Sequence, residues 1–218
     1  MGQEINLLSA IPKTKRNIEA REDAKDPEVV RISKEYGQMY FDGPRDYGYG
    51  GYRYDGRWVP VAHDIIAHFD LKPGMRVLDA GCAKGFLVKD LRDACPGLEV
   101  TGLDISAYAI ETAHPDAKPF LVQGSIESMP FDAPFDAVLC LDTVHNLSRR
   151  RAKRALQEIQ RLSGGNAYVR VDSYRTPEQR TVFESWVLTA EFHDYPEGWL
   201  ALFAEAGYTS DYSWTIIE

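Results

Sequence analysis

From residue 75 onward, short apolar runs alternate with amphipathic stretches. "MRVLDAG" (75–81) is an apolar run closed by Asp and Gly and reads as a buried strand. "KGFLVKDLRDAC" (84–95) places Phe86, Leu87, Leu91 and Cys95 on one helical face. "LEVTGLDI" (98–105) predicts a second strand, and "SAYAIETAH" (106–114) a helix capped by its serine. "PFLVQG" (119–124) and "FDAVLCLD" (135–142) predict further strands, and "SRRRAKRALQEIQRLS" (148–163) a basic-faced amphipathic helix. A strand over 166–174, a helix from Pro177 to about Ala190, a helix over 197–208 and a strand over 212–218 complete the pattern. Strands spaced by helices this regularly predict an α/β fold: a doubly wound, mostly parallel sheet with helices on both faces.

The N-terminal 60 residues are patterned differently. The spacing predicts a helix over 27–41 and another over 58–69 that leads into the first strand. Residues 1–57 therefore read as a helical and Tyr/Gly-rich arm, and residues 58–218 as the main domain.

Composition narrows the function classes. The 218 residues are 44% hydrophobic and 27% charged, as in an ordinary globular chain. No run reaches the length of a membrane span, and the N-terminus lacks the basic-then-apolar order of a secretory signal. Three cysteines without metal-ligand spacing predict reduced thiols in a cytoplasmic protein and no metal site. Residues 1–60 carry ten Lys/Arg and ten Asp/Glu, so the net charge of −8 falls entirely on the remainder. An acidic body argues against nucleic-acid binding, which needs a basic face.

The chemistry concentrates in "RVLDAGCAKGFLVKDL", Arg76 to Leu91. A strand ends, glycines turn the chain, and a helix begins, which exposes backbone N–H groups and lets a ligand approach the main chain. A phosphate-binding Walker loop needs Ser/Thr after Gly-Lys, and Lys84-Gly85 is followed by Phe86. The dinucleotide fingerprint needs glycines where this chain has Ala83 and Phe86.

The remaining pattern is an acidic residue followed by glycines at alternate positions: Asp79, Gly81, Ala83, Gly85, with alanine for the middle glycine. Here the chain resembles class I S-adenosylmethionine-dependent methyltransferases, over roughly residues 58–174. The resemblance implies that Asp104, in "GLDIS", grips the ribose hydroxyls. It also implies that "GSIESMPF" contacts adenine through Ser125 and Ile126, and that "FDAVLCLDTVHNL" is the fourth strand and its loop. Asp79, Gly81, Ala83, Gly85, Asp104, Ile105, Ser125, Ile126 and Asp142 are the expected cofactor contacts, and S-adenosylmethionine the expected cofactor. Physically, a carboxylate at a strand end can accept two hydroxyl donors, and Asp79 at a helix start can order the turn or meet a ligand ammonium. Both acids could instead merely cap helices. Family members that methylate nucleobases or glutamine amides carry Asn/Asp-Pro-Pro-Tyr/Phe after the fourth strand; "LDTVHNL" lacks it. The family's sheet has seven strands, and this C-terminus looks short by one, so the last strand is either the sixth or the seventh.

"DYGYGGYRYDGRW" (46–58) holds four tyrosines and four glycines in thirteen residues. The resemblance places such a segment over the C-terminal edge of the sheet as a lid. Its rings suit a sulfonium, a soft cation attracted to π faces. Its arginines suit a carboxylate. Tyr49, Tyr52, Arg53 and Arg57, with Asn146, Tyr174 and Arg175 after the fourth and fifth strands, are the expected substrate contacts. His145, oriented by Asp142 or Asp172, is the expected general base, with Asp172 its catalytic partner. The expected activity is methyl transfer to an oxygen or nitrogen of a small polar metabolite in specialised or carbohydrate metabolism. A protein or peptide acceptor, and a non-catalytic protein that only senses S-adenosylmethionine, are the alternatives. Oligomeric state stays open, a homodimer included.

Overall fold

The computed structural model describes residues 2–12 and 16–217. Six strands form one sheet: β1 (Arg76–Ala80), β2 (Glu99–Asp104), β3 (Leu121–Gln123), β4 (Ala137–Leu141), β5 (Ala167–Asp172) and β6 (Asp211–Thr215). Their order is β3-β2-β1-β4-β5-β6, and every pairing is parallel. The chain reverses direction across the sheet between β1 and β4, the switch point beside which open α/β sheets hold ligands. The last strand is thus the sixth, paired directly and in parallel with β5.

Alternation along each strand builds two cores. In β4, Ala137, Leu139 and Leu141 face one layer, while Val138 and Cys140 face the other. On the first face pack α4 (Val59–His68) and α5 (Phe86–Ala94), through Val61, Ile65, Leu87 and Leu91. On the second pack α7 (Arg149–Ser163) and α9 (Pro196–Ala206), through Leu156, Ile159, Trp199 and Phe203. The doubly wound arrangement follows, because strands buried on both faces must be covered on both.

Several helices are shorter than their apolar patterns. The helix after β2, α6, covers only Ala107–Glu111, and α8 stops at Pro177–Trp186. The stretch expected as one helix over 27–41 is two, α2 (Pro27–Ser33) and α3 (Gln38–Asp42). Tyr36 takes a left-handed φ of 50° and Gly37 follows it, which ends one helix and redirects the next. A further helix, α1 (Ile18–Ala24), precedes them; Asn17 caps it by accepting from the N–H of Ala20.

The arm is not a single flap. Residues 3–5 pair with the outer edge of β6 through Ile5 N–H to Tyr212 O and Tyr212 N–H to Gln3 O. Leu7 and Leu8 join the α4/α5 core. Covering an edge strand removes unpaired backbone groups that would otherwise invite association. No described helix is long and apolar enough to cross a membrane.

Candidate active site

The C-terminal ends of β1, β2 and β4 open into a cavity of about 420 Å³, within the size range of small-ligand sites. Its floor is the turn after β1. Gly81 sits at φ 93°, and a Cβ there would lie 2.1 Å from Thr143 Oγ1, so both backbone and space demand glycine. Ala83 also takes a left-handed φ of 50°, which costs a non-glycine residue about 1 kcal/mol. Gly85 caps α5 at φ 73°, but its missing side chain faces Ala117 rather than the cavity.

Asp104 braces this turn. Its Oδ2 accepts from the Ala83 N–H at 2.7 Å and its Oδ1 from the Ser106 N–H at 2.8 Å. Burial pushes its pKa up, and these two bonds oppose that shift. Asp79 differs. It is 3% exposed, lines the cavity and has no hydrogen-bond or cationic partner among the described residues. Burial, with the nearby Asp104 charge, pushes its pKa up to about 7. A buried, unpaired carboxylate is costly unless something binds it. Ile105 is 56% exposed at the cavity wall, opposite the buried Ile126. Ser125 and Asp142 also line the cavity, Asp142 at a left-handed φ of 52°.

The roof comes from the arm. Tyr49 and Tyr52 line the cavity, their ring centroids 4.4 Å apart. Tyr49 presents 43% of its surface despite dense surroundings, because that face walls the cavity. Tyr36 and Tyr40 complete the aromatic wall. Burial raises the pKa of Tyr36, Tyr40 and Tyr52, and for Tyr49 the neighbouring Tyr40 raises it further, so these hydroxyls stay neutral. Glu191, from the loop after α8, and Arg151, from α7, close the remaining side together with Asn146.

Several expected residues lie elsewhere. Arg57 folds back onto Asp55, at 2.6 Å, on the exposed surface, and Arg53 is exposed and outside the cavity lining. Arg175 pairs with Glu4 at 2.6 Å, and Tyr174 is buried against Phe183 and Tyr195. His145 and Asp172 do not line the cavity either. His145 Nδ1 accepts from the Asp172 N–H at 3.0 Å, and Nε2 lies 3.2 Å from Asp172 Oδ2. Both ring nitrogens are turned to Asp172, so neither is placed to take a proton from a molecule in the cavity. Burial pushes the Asp172 carboxyl up, and the facing His145 ring opposes that shift. Asp142, His145 and Asp172 bring one possible metal-ligand atom each within 4.8 Å of one another. These atoms are already engaged: Asp142 Oδ1 accepts from Thr215 Oγ1 at 2.6 Å and lies 3.4 Å from Arg170 Nε.

Among the cavity residues that the sequence reading missed are Tyr36, Tyr40, Arg151 and Glu191. Tyr36 and Tyr40 stand four apart beside the Tyr/Gly-rich stretch, which was the available signal.

Residues 77–164 match a family model described as a methyltransferase domain. The chain carries a class I S-adenosylmethionine-dependent methyltransferase domain. It is 31% identical over 133 residues to the botryococcene C-methyltransferase of Botryococcus braunii, covering 53% of this chain and 35% of that protein. It is 37% identical over 111 residues to the demethylmenaquinone methyltransferase of Thermotoga maritima, covering 50% of this chain and 46% of that one. The chain thus spans less than half the length of either relative. A complex between the Haloferax volcanii Trm112 methyltransferase activator and a methyltransferase shares the fold, with a TM-score of 0.54 at 22% identity over 67% of this chain and 66% of that one.

Proposed function

We propose that this methyltransferase domain acts on an oxygen or nitrogen of a small polar molecule, in the reducing interior of the cell. The cofactor supplies an electrophilic methyl on a sulfonium. The observation that carries the reading is Asp79: a buried carboxylate without a partner, facing the cavity, suits the cofactor's ammonium. Asp104 keeps lone pairs for the ribose hydroxyls while it holds the Ala83 N–H. Ile105 and Ile126 offer flat apolar contact for the base, with Ser125 beside it. The acceptor then meets Tyr36, Asn146, Arg151 and Glu191, a polar wall. Because no base faces the cavity from His145, the protein contributes chiefly alignment of an in-line displacement. An aromatic roof over a cavity of this size favours a small acceptor over a peptide.

Two experiments test this. Asp104→Ala should weaken S-adenosylhomocysteine binding by about 2–4 kcal/mol in calorimetry, since charge-assisted bonds to the ribose and the brace on the turn go together. Wild-type affinity in that variant would remove Asp104 from the site. Incubation with methyl-labelled S-adenosylmethionine and a cell extract should place label in the small-molecule fraction. Label confined to protein would favour a peptide acceptor, and cofactor binding without any transfer would favour a sensor.

The arm between Tyr36 and Trp58 acts as the lid in this reading. Deleting residues 1–56 would also strip Leu7 and Leu8 from the core and uncover β6, so it is not a clean test. Hydrogen exchange is cleaner: amides of residues 36–54 should gain protection when S-adenosylhomocysteine saturates the site. Unchanged exchange there would make the segment a fixed strap.

A further inference from the structure

One carboxylate outside the expected site collects groups from three parts of it. Asp42, the last residue of α3 in the arm, accepts from Lys84 Nζ at 2.5 Å. Lys84 lies in the glycine turn, between Ala83 and Gly85, and its side chain is only 7% exposed. The same Asp42 oxygen accepts from the Tyr108 hydroxyl at 2.7 Å; Tyr108 belongs to α6, just after the ribose-side Asp104. Its other oxygen accepts from the Tyr52 N–H at 3.2 Å, and Tyr52 is part of the cavity roof. Burial raises the Asp42 pKa, but the bonds from Lys84 and Tyr108 outweigh it, and the net shift is downward, so the group is a carboxylate.

A second line of bonds runs parallel. Asp104 holds the Ser106 N–H, and Ser106 Oγ donates to the carbonyl of Tyr36 at 2.5 Å. Tyr36 is the residue whose left-handed φ breaks the arm helix, so that carbonyl is aimed by a conformation that most residues avoid. Stacking reinforces the join: the Tyr52 ring lies on Phe86, the first residue of α5, with centroids 4.8 Å apart and planes 13° apart. Lys84 has little alternative. A nearly buried ammonium needs a partner, and a partly buried pair in a shielded site is worth more than an exposed one.

We propose that Asp42 is a positioning residue that latches the aromatic roof to the cofactor turn through Lys84, Tyr108 and the Tyr52 N–H, so that cofactor entry and exit require this latch to open. The inference rests on the cofactor site proposed above. Because the roof tyrosines line the same cavity as Asp79 and Asp104, a ligand held there cannot leave past Tyr49 and Tyr52 without displacing them. Weakening the latch should therefore raise the rates of both association and dissociation. Loss of contacts in the turn alone would raise only the dissociation rate.

The test is stopped-flow binding of S-adenosylhomocysteine to the full chain, with thermal melts alongside. Wild-type protein is measured first; if it does not bind, the cofactor reading fails before the latch is tested. With binding established, Asp42→Ala should dissociate ligand about tenfold faster or more and associate several-fold faster. Asp42→Asn keeps one acceptor oxygen, for either the Tyr108 hydroxyl or the Tyr52 N–H, and loses the charge facing Lys84, and should fall between. Lys84→Met avoids leaving a buried ammonium unpaired. It keeps the Tyr108 and Tyr52 bonds to Asp42, so it too should fall between wild type and Asp42→Ala, and the double variant should be no faster than Asp42→Ala alone. Exchange at residues 36–54 in ligand-bound Asp42→Ala should return toward the unliganded level. Association and dissociation rates equal to wild type in a folded Lys84→Met variant would overturn the proposal. So would additive rate changes in the double variant.

Discussion

Asp79→Asn should make the ligand-free protein more stable at pH 8 while weakening its hold on the cofactor. Asp79 is buried and unpartnered, and burial with the nearby Asp104 charge pushes its folded pKa up to about 7, well above the ordinary carboxylate value. A raised carboxyl pKa gives stability that is fully present below about pH 4, where both folded and unfolded chains carry the proton. That stability drains away as pH rises toward 7, because the folded chain must then hold an unpaired buried charge. A shift of that size corresponds to about 4 kcal/mol at pH 8 and to a rise in melting temperature on the order of 10 °C for a chain of this size. Asparagine keeps the shape and removes the charge. The stabilisation should shrink to nothing at pH 4. Binding runs the other way. A ligand ammonium needs the ionised carboxylate, so wild-type affinity for S-adenosylhomocysteine should rise as pH climbs from 6 to 8. Asp79→Asn should show little of that rise and bind roughly 30–150-fold more weakly at pH 8. Melts and calorimetry at pH 4, 6 and 8 check both halves. An Asp79→Asn variant no more stable than wild type at pH 8 would mean that the carboxylate has a partner in solution.

The strand and helix order was legible because it is local. Apolar runs ending at Asp79 and Asp104 are short, flanked by turns and buried on both faces, and nothing distant needs to be known to read them. Topology then carried the reading further: a parallel sheet must present Asp79, Asp104 and Asp142 at one edge, and all three line the cavity. What failed was direction after a strand ends. Asp172 and Arg175 lie at and just after the end of β5, on the expected side of the sheet. The chain there turns so that Asp172 meets His145 and Arg175 meets Glu4. Arg57 was lost to a carboxylate two residues away, a pairing available on any exposed turn. The arm was hardest. Its route depends on a left-handed Tyr36 and on Asp42 finding Lys84 forty-two residues downstream, and neither leaves a periodic trace in the sequence. Glu191 enters the cavity for a similar reason: its N–H and that of Phe192 donate to the carbonyl of His145.

That last contact gives His145 a different expected phenotype from that of a general base. A base would lose about 10²–10⁴ in kcat on replacement by any residue that cannot take a proton. The structure instead gives His145 three structural bonds and one close contact with a carboxylate. Its ring accepts from the Asp172 N–H and faces the Asp172 carboxylate, and its carbonyl holds the Glu191 and Phe192 amides. Removing the ring with His145→Ala leaves the Asp172 N–H and carboxylate buried without partners, and it leaves a hole beside the core. The cost should be about 3–5 kcal/mol of stability, as for a broken buried pair. His145→Asn decides between the roles. The asparagine oxygen can stand where Nδ1 stands and accept from the Asp172 N–H, but it cannot act as a base near neutral pH. The backbone bonds to Glu191 and Phe192 remain in both variants. His145→Asn should therefore recover part of the lost stability and keep turnover within about tenfold of wild type. The pH profile of kcat should be unchanged in shape, because no titrating ring drives it. KM for the acceptor should stay near the wild-type value, because the backbone bonds that hold the Glu191 loop remain. A hundredfold or greater loss of kcat in a folded His145→Asn protein, with the pH profile flattened, would restore the ring to the chemistry. The loop after β4 would then have to open toward the cavity during turnover.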